Sequence, residues 1–239
     1  MPGSWSVDDL KEIRAKGGDR LADSTDRRPI PQRESGWARA IARRLAGIGI
    51  RPNQVSVFSV VVSAGAFAAL VFAGGAATAG VSAALFLAAV VLMEARLLCN
   101  LFDGMLAVEH GLKSPGGVLF NDVPDRISDA LVLVGLGYAI QSWGWASDVG
   151  WLAALLAVGT AYVRLLGGAS GVAQDFGGPM AKQLRVHVAA ITSLGAAVSA
   201  LFDGPTDQIL LGGLLLVAAG ALATNAARLL RISKALGRA

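Results

Sequence analysis

Residues that build disulfides and soft-metal sites are nearly missing from this chain. It has one cysteine, Cys99, and two histidines, His110 and His187. A single cysteine excludes an intramolecular disulfide. Two histidines far apart in sequence give no basis for a His/Cys zinc site. Charge is scarce too: 16% of the 239 residues are Asp, Glu, Lys or Arg, against about 25% in soluble domains. The apolar runs are continuous rather than alternating, which argues against a membrane β-barrel. No convincing internal repeat is visible. The first 36 residues are polar and lack the apolar core of a secretory signal, so none is expected.

What the chain does have is hydrophobic length. Its residues are 54% hydrophobic and its mean hydropathy is +0.57. The expected class is all-α: a six-transmembrane-helix bundle preceded by an amphipathic interfacial helix. The apolar spans run over about 53–74, 80–108, 118–140, 149–170, 185–202 and 208–230, each near the roughly 20 residues that cross a bilayer. The second is long enough to project beyond the bilayer at its C-terminal end. Before them, Trp37, Ile41, Leu45 and Ile48 recur at helical spacing, offset by Arg39, Arg43 and Arg44. That pattern suits a helix lying in the headgroup layer. Residues 1–36 read as a polar N-terminal extension and residues 37–239 as the membrane-embedded domain.

The net charge is +4. No nucleic-acid-reading module is recognisable, and the basic residues flank apolar spans, so membrane-surface electrostatics explain the excess. Arg39, Arg43, Arg44 and Arg51 precede the first span. Lys113 and Arg126 bracket the start of the third, Lys182 and Arg185 the fifth, and Arg228, Arg231, Lys234 and Arg238 close the chain. Loops 75–79, 141–148 and 203–207 contain no Lys or Arg. By the positive-inside rule the basic side, with both termini, is cytoplasmic. Trp143, Trp145 and Trp151 fall at the opposite interface. The high Ala, Gly, Val and Arg content hints at a GC-rich bacterial genome, and the expected location is a bacterial inner (cytoplasmic) membrane.

Within this apolar chain, Asn100–Asp125 stands out. Asn100 and Asp103 are spaced i,i+3, and Asn121 and Asp125 i,i+4, so each pair shares a helix face. The first pair ends the second span and the second pair begins the third. Consecutive antiparallel helices therefore bring both to one bilayer depth. Polar groups persist there where they line a cavity, pair or hold a metal. Oxygen-only ligands suit Mg²⁺, Mn²⁺ or Ca²⁺. Gly104, Ala107 and Gly117 remove bulk beside the oxygens, where a phosphate-bearing ligand can approach.

The stretch resembles the CDP-alcohol phosphotransferases (phosphatidyltransferases), whose pattern is D-x2-D-G-x2-A-R-x8-G-x3-D-x3-D. Here it reads Asn100-x2-Asp103-Gly104-x2-Ala107-Val108-x8-Gly117-x3-Asn121-x3-Asp125, with matching spacing and five of the eight defining residues. Gly49-Ile50-Arg51-Pro52-Asn53-Gln54-Val55-Ser56 is similar to the family's G-I-x-P-N-x-x-T segment. The resemblance covers roughly residues 37–235. It implies a membrane enzyme that moves a phosphatidyl-type group from a CDP-linked lipid to an alcohol, releasing CMP, in phospholipid synthesis. It also implies a homodimer and Mg²⁺ or Mn²⁺ as cofactor. Asn100, Asp103, Asn121 and Asp125 would then be metal ligands, and Asp125 the general base. Gly104, Ala107 and Gly117 would shape the nucleotide pocket, and Arg164, Lys182 and Arg185 are candidate phosphate ligands.

Asn100, Val108 and Asn121 depart from the pattern, cutting ligand charge from four negatives to two. The site then holds one metal, recruits Glu109 or Asp129, or is catalytically dead. The paired, shape-conserving exchanges favour a modified working site. Arg96, one turn before Asn100, either offsets the lost arginine or pairs with an acid such as Glu94. Asp129 either extends the metal site or pairs with Arg126. His110 reads as a loop residue. The rival functions are a non-catalytic CDP-lipid-binding or regulatory protein and, more remotely, a transporter with a cation site.

Overall fold

The computed structural model describes residues 35–109, 111–112 and 116–237. Most of the polar arm, His110 and Lys113 lie outside the described residues, and so does the side chain of Glu109. The described chain forms seven helices: α1 Gly36–Gly47, α2 Pro52–Gly74, α3 Ala79–Glu109, α4 Gly117–Ala139, α5 Ala146–Ala169, α6 Lys182–Leu201 and α7 Thr206–Leu236. No strand occurs among the described residues, so the all-α expectation holds.

Among the described residues, five helices are long and apolar enough to cross a membrane: Pro52–Gly74, Ala79–Val108, Ala146–Ala169, Lys182–Leu201 and Thr206–Leu236. The sequence reading counts six. The difference is α4, whose 23 residues carry Asp122, Asp125 and Arg126 in the first half and Asp129 just past the middle. Composition alone therefore does not mark it as a span.

Local sequence explains where the helices start. Pro52 opens α2 with its φ already suited to a first helical turn, and the Arg51 N–H donates to Gln54 Oε1 at 2.9 Å. The α1 helix forms where the sequence places it and packs on α3. The face it buries is that of Ala38 and Ala42. Trp37, Ile41 and Ile48 remain exposed, with Trp37 edge-on to Phe102 at 6.3 Å between ring centroids.

The helices meet through small residues. α2 packs on α3 and α4, α4 on α5, α3 on α6, and α7 on α5 and α6. The core that results is rich in alanine, with Leu70, Phe86, Met93, Leu136, Leu210 and Leu214 filling the wider gaps. At the α4–α5 crossing a Cβ on Gly137 would stand 2.8 Å from the Ala146 carbonyl oxygen and 3.0 Å from Gly150 Cα. Backbones in near contact need glycine at that point, as in tightly packed membrane helices.

A buried ion triad fixes the register of this packing. Asp129 of α4 is 4% exposed, Arg96 of α3 0% and Arg185 of α6 2%. Asp129 Oδ1 accepts from Arg96 Nη2 at 2.6 Å, and Oδ2 accepts from Arg185 Nη2 at 2.7 Å. Arg185 Nη1 also donates to Thr160 Oγ1 of α5 at 3.1 Å. One carboxylate thus ties three helices directly and reaches a fourth. The expected ion pairing occurs with other partners than the sequence neighbours: Arg96 pairs with Asp129 rather than with Glu94, which is exposed, and Asp129 pairs with Arg96 and Arg185 rather than with Arg126.

Removing Asp129 leaves the buried Arg185 without a carboxylate and Arg96 with only the more distant Asp125, at 3.7 Å. Asp129→Ala is expected to destabilise the protein by about 3–5 kcal/mol, whereas Glu94→Ala, at an exposed position, changes stability by less than about 0.5 kcal/mol. Thermal unfolding of the detergent-purified variants checks both. Equal melting of Asp129→Ala and the parent protein would remove the triad from its structural role.

Candidate functional site

The C-terminal part of α3, the first half of α4 and the start of α6 meet beside the triad. Asp103 and Asp125 are each 5% exposed. Asp103 Oδ2 accepts from Ser56 Oγ of α2 at 2.6 Å. Asp125 Oδ2 is paired with the Lys182 ammonium. Its Oδ1 lies 3.7 Å from Arg96 Nη2 and, though buried, accepts no hydrogen bond. Arg96 Nη2 donates instead to the Asp125 backbone carbonyl at 3.2 Å. Arg126 Nη2 stands 3.8 Å from Asp125 Oδ2.

The amides divide. Asn100 is half-buried and its Nδ2 is buried without a partner, so it faces the interior between Arg96 and Asp103 on one side of α3. Asn121 is exposed at the start of α4. Gly104, Ala107 and Gly117 are partly buried, and Val108, in the arginine position of the pattern, is exposed.

The loop before α6 positions the cations. Gly178 has φ +138°, and a Cβ there would lie 2.5 Å from Thr224 Cγ2, so glycine is required on both counts. The Met180 N–H donates to Thr224 Oγ1 at 3.0 Å. Arg228 Nε donates to the Gly177 carbonyl and Arg185 Nη1 to the Met180 carbonyl, both at 3.0 Å. Arg231 pairs with Asp175. This pinned loop delivers Lys182, the first residue of α6, to Asp125, and Arg185, one turn later, to Asp129. The loop cations therefore do not act as a free pair: Arg185 is fully engaged by protein oxygens at both of its terminal nitrogens.

Arg164 belongs to an outer layer. Its Nη2 donates to Asp122 Oδ1 at 2.9 Å and its Nη1 to Gln174 Oε1 at 2.8 Å. Its guanidinium lies 5.0 Å from the centre of the Phe176 ring. Arg126 Nη2 reaches the same Asp122 oxygen at 3.3 Å.

Sequence reasoning missed Ser56 as a partner of Asp103 and Asp122 as the carboxylate that holds Arg164. A signal existed for each. Ser56 occupies the hydroxyl position of the G-I-x-P-N-x-x-T segment, and Asp122 is a second acid inside the polar stretch, hidden by its neighbour Asn121 in the motif frame.

Among the described residues no three His, Cys, Asp or Glu side chains are placed to hold a metal ion. The oxygens available to a cation are those of Asp103, Asp125 and the two asparagines. The unpartnered, buried Asp125 Oδ1 is a carboxylate oxygen without the donor that burial requires, which fits an oxygen-seeking cation. Asp129 is not available, because both of its oxygens bind arginine.

No family model and no curated relative matches this chain. Solved structures do. The phosphatidylinositol phosphate synthase of Mycobacterium tuberculosis in complex with manganese and citrate aligns at 23% identity and a TM-score of 0.67, covering 82% of this chain and 88% of that one. The same synthase with CDP-DAG bound aligns at 22% identity and a TM-score of 0.67, covering 82% and 92%. Across most of its length, this chain has the helical fold of that synthase.

Proposed function

We propose that the chain is a divergent CDP-alcohol phosphotransferase. It would transfer a phosphatidyl-type group from a CDP-diacylglycerol-like lipid to an alcohol acceptor, with release of CMP, in phospholipid synthesis. The observation that carries this reading is the burial of Asp103 and Asp125 together where α3 ends and α4 begins, at the motif positions that the resemblance assigns to metal and nucleotide. The synthase whose fold this chain has was solved with CDP-DAG and with manganese, and that supports both the ligand class and the metal class.

The acceptor hydroxyl oxygen attacks the lipid-side phosphorus. The bond from that phosphorus to the CMP oxygen breaks, CMP leaves, and the hydroxyl proton passes to the Asp125 carboxylate. Asp103, Asp125, Asn100 and Asn121 would hold Mg²⁺ or Mn²⁺, which supplies charge neutralisation at the diphosphate. Ser56 fixes the rotamer of Asp103, and the Arg96 bond to the Asp125 backbone steadies the base. Gly104, Ala107 and Gly117 flank the nucleotide. Arg164 and Lys182 face the diphosphate or the acceptor, and Arg185 orients this surface from below through Asp129. The domain acts as an integral membrane protein, and as a homodimer. Helix α4 completes a six-span bundle whose charged first half faces the interior, and α1 lies in the cytoplasmic headgroup layer with both termini on that side.

One observation favours a second reading. The Lys182 ammonium already engages the proposed base, as suits a CDP-lipid-binding homologue without turnover. Purified protein given labelled CDP-diacylglycerol, Mg²⁺ or Mn²⁺ and a panel of inositol phosphate, glycerol phosphate and serine is expected to release CMP with one of them. Asp125→Asn is expected to lower the rate by about 100-fold or more. Metal-dependent binding of the lipid with no CMP from any acceptor would decide for the second reading. Orientation has its own check. A fluorescent protein fused after Ala239 is expected to fluoresce, and alkaline phosphatase fused within 141–148 to be active; the reverse pattern would invert the topology.

A further inference from the structure

The ionised groups at the site balance one another. Three buried carboxylates, Asp103, Asp125 and Asp129, share the site with three cations, Arg96, Lys182 and Arg185: Asp125 pairs with Lys182 and Arg96, Asp129 with Arg96 and Arg185, and Asp103 is held by the Ser56 hydroxyl. The inner cluster is therefore neutral. The outer layer adds Asp122 against Arg126 and Arg164, a further net positive charge. Four motif carboxylates would attract two divalent cations to a site of this kind; a neutral cluster does not. A CDP-lipid diphosphate brings about two negative charges. One divalent cation balances those two charges and leaves only that of the outer layer, whereas a second would add two further positive charges in a desolvated setting, where like charges repel strongly.

The geometry assigns the missing charge. Lys182 is carried to Asp125 by a loop pinned at Gly177, Gly178 and Met180, and its ammonium engages Oδ2 while Oδ1 stays buried and open. We propose that the Lys182 ammonium takes the place of one of two divalent cations, so that the site binds a single Mg²⁺ or Mn²⁺ ion, and binds it together with the CDP moiety. The proposal rests on reading the site as a CDP-lipid pocket. It makes the amides at Asn100 and Asn121 part of the same adaptation: a site with an internal ammonium and one metal needs fewer anionic ligands.

The test counts ions rather than turnover. The full chain in lipid nanodiscs is titrated with Mn²⁺, free ion being read by electron paramagnetic resonance, with and without excess CDP. The parent protein is expected to bind one Mn²⁺ per chain with CDP, and to bind it at least about tenfold more weakly without CDP. Lys182→Gln is expected to tighten Mn²⁺ binding in the absence of CDP by about tenfold, and Lys182→Arg to leave the one-ion stoichiometry unchanged. The triple variant Lys182→Gln, Asn100→Asp, Asn121→Asp is expected to bind two ions. Two ions or none on the parent protein overturns the proposal, and so does a Lys182→Gln variant that folds and titrates like the parent. If the ion counts come out as stated but no CMP is released from any acceptor, the catalytic reading fails and this one stands. If CMP is released with two ions bound, the reverse holds.

Discussion

The arrangement of this molecule depends on a single carboxylate between two arginines. Arg96 and Arg185 are buried deep in an apolar bundle, a placement that is ruinous for an unpaired guanidinium. Asp129 makes it tolerable by giving one oxygen to each. Because the arginines come from α3 and α6 and the carboxylate from α4, their geometry sets the rotation and depth of all three helices. Apolar contacts alone specify these poorly in a membrane, where lipid is as good a neighbour as leucine. The glycine contacts between α4 and α5 bring backbones close, but the ion triad selects which turn faces which.

The candidate site is built on that register. Asp125 is one turn before Asp129, so the helix rotation that points Asp129 at its arginines also points Asp125 at Lys182. Lys182 is one turn before Arg185, so the same holds from the other side. The candidate layer is a copy of the structural layer displaced by one turn, with carboxylate on α4 opposed to cation on α6 in each. In the structural layer every oxygen is paired. In the layer above it, Asp125 Oδ1 and Asn100 Nδ2 are left without partners. The open carboxylate oxygen is what sets this layer apart, because the groups without partners in the deeper one are nitrogens, Arg96 Nε and Nη1 and Arg185 Nε.

Much of this was legible in the sequence for a clear reason. The phosphotransferase frame is local, two pairs at i,i+3 and i,i+4 on adjacent spans, and helical spacing converts directly into a shared face. The apolar spans are legible on the same terms. What was not legible is tertiary pairing. Glu94 and Arg126 are sequence neighbours of Arg96 and Asp129, and proximity in sequence made them plausible partners, yet Glu94 projects outward and Arg126 turns to Asp122. The partners chosen, Asp129 for Arg96 and Arg185 for Asp129, are separated by 33 and 56 residues. Helix α4 shows the same limit from the composition side. Its charges lower its hydropathy, but they are the charges the bundle interior uses.

Charge balance also explains why the departures from the motif need not mean decay. Replacing an aspartate by asparagine keeps the shape and the oxygen while deleting a charge. Such a change damages a site that needs the charge and suits one that has another cation in residence. Here Lys182 is in residence, brought in by a loop whose backbone is fixed at several points rather than by a side chain reaching from solvent. The exchange at Asn100 is half-buried on α3 between Arg96 and Asp103, so its lost charge would have acted on that interior at low dielectric. The exchange at Asn121 is exposed, where water screens a carboxylate strongly. The two exchanges are therefore unequal: the one at Asn100 removes a charge from the interior beside Asp103, and the one at Asn121 removes a charge from the surface.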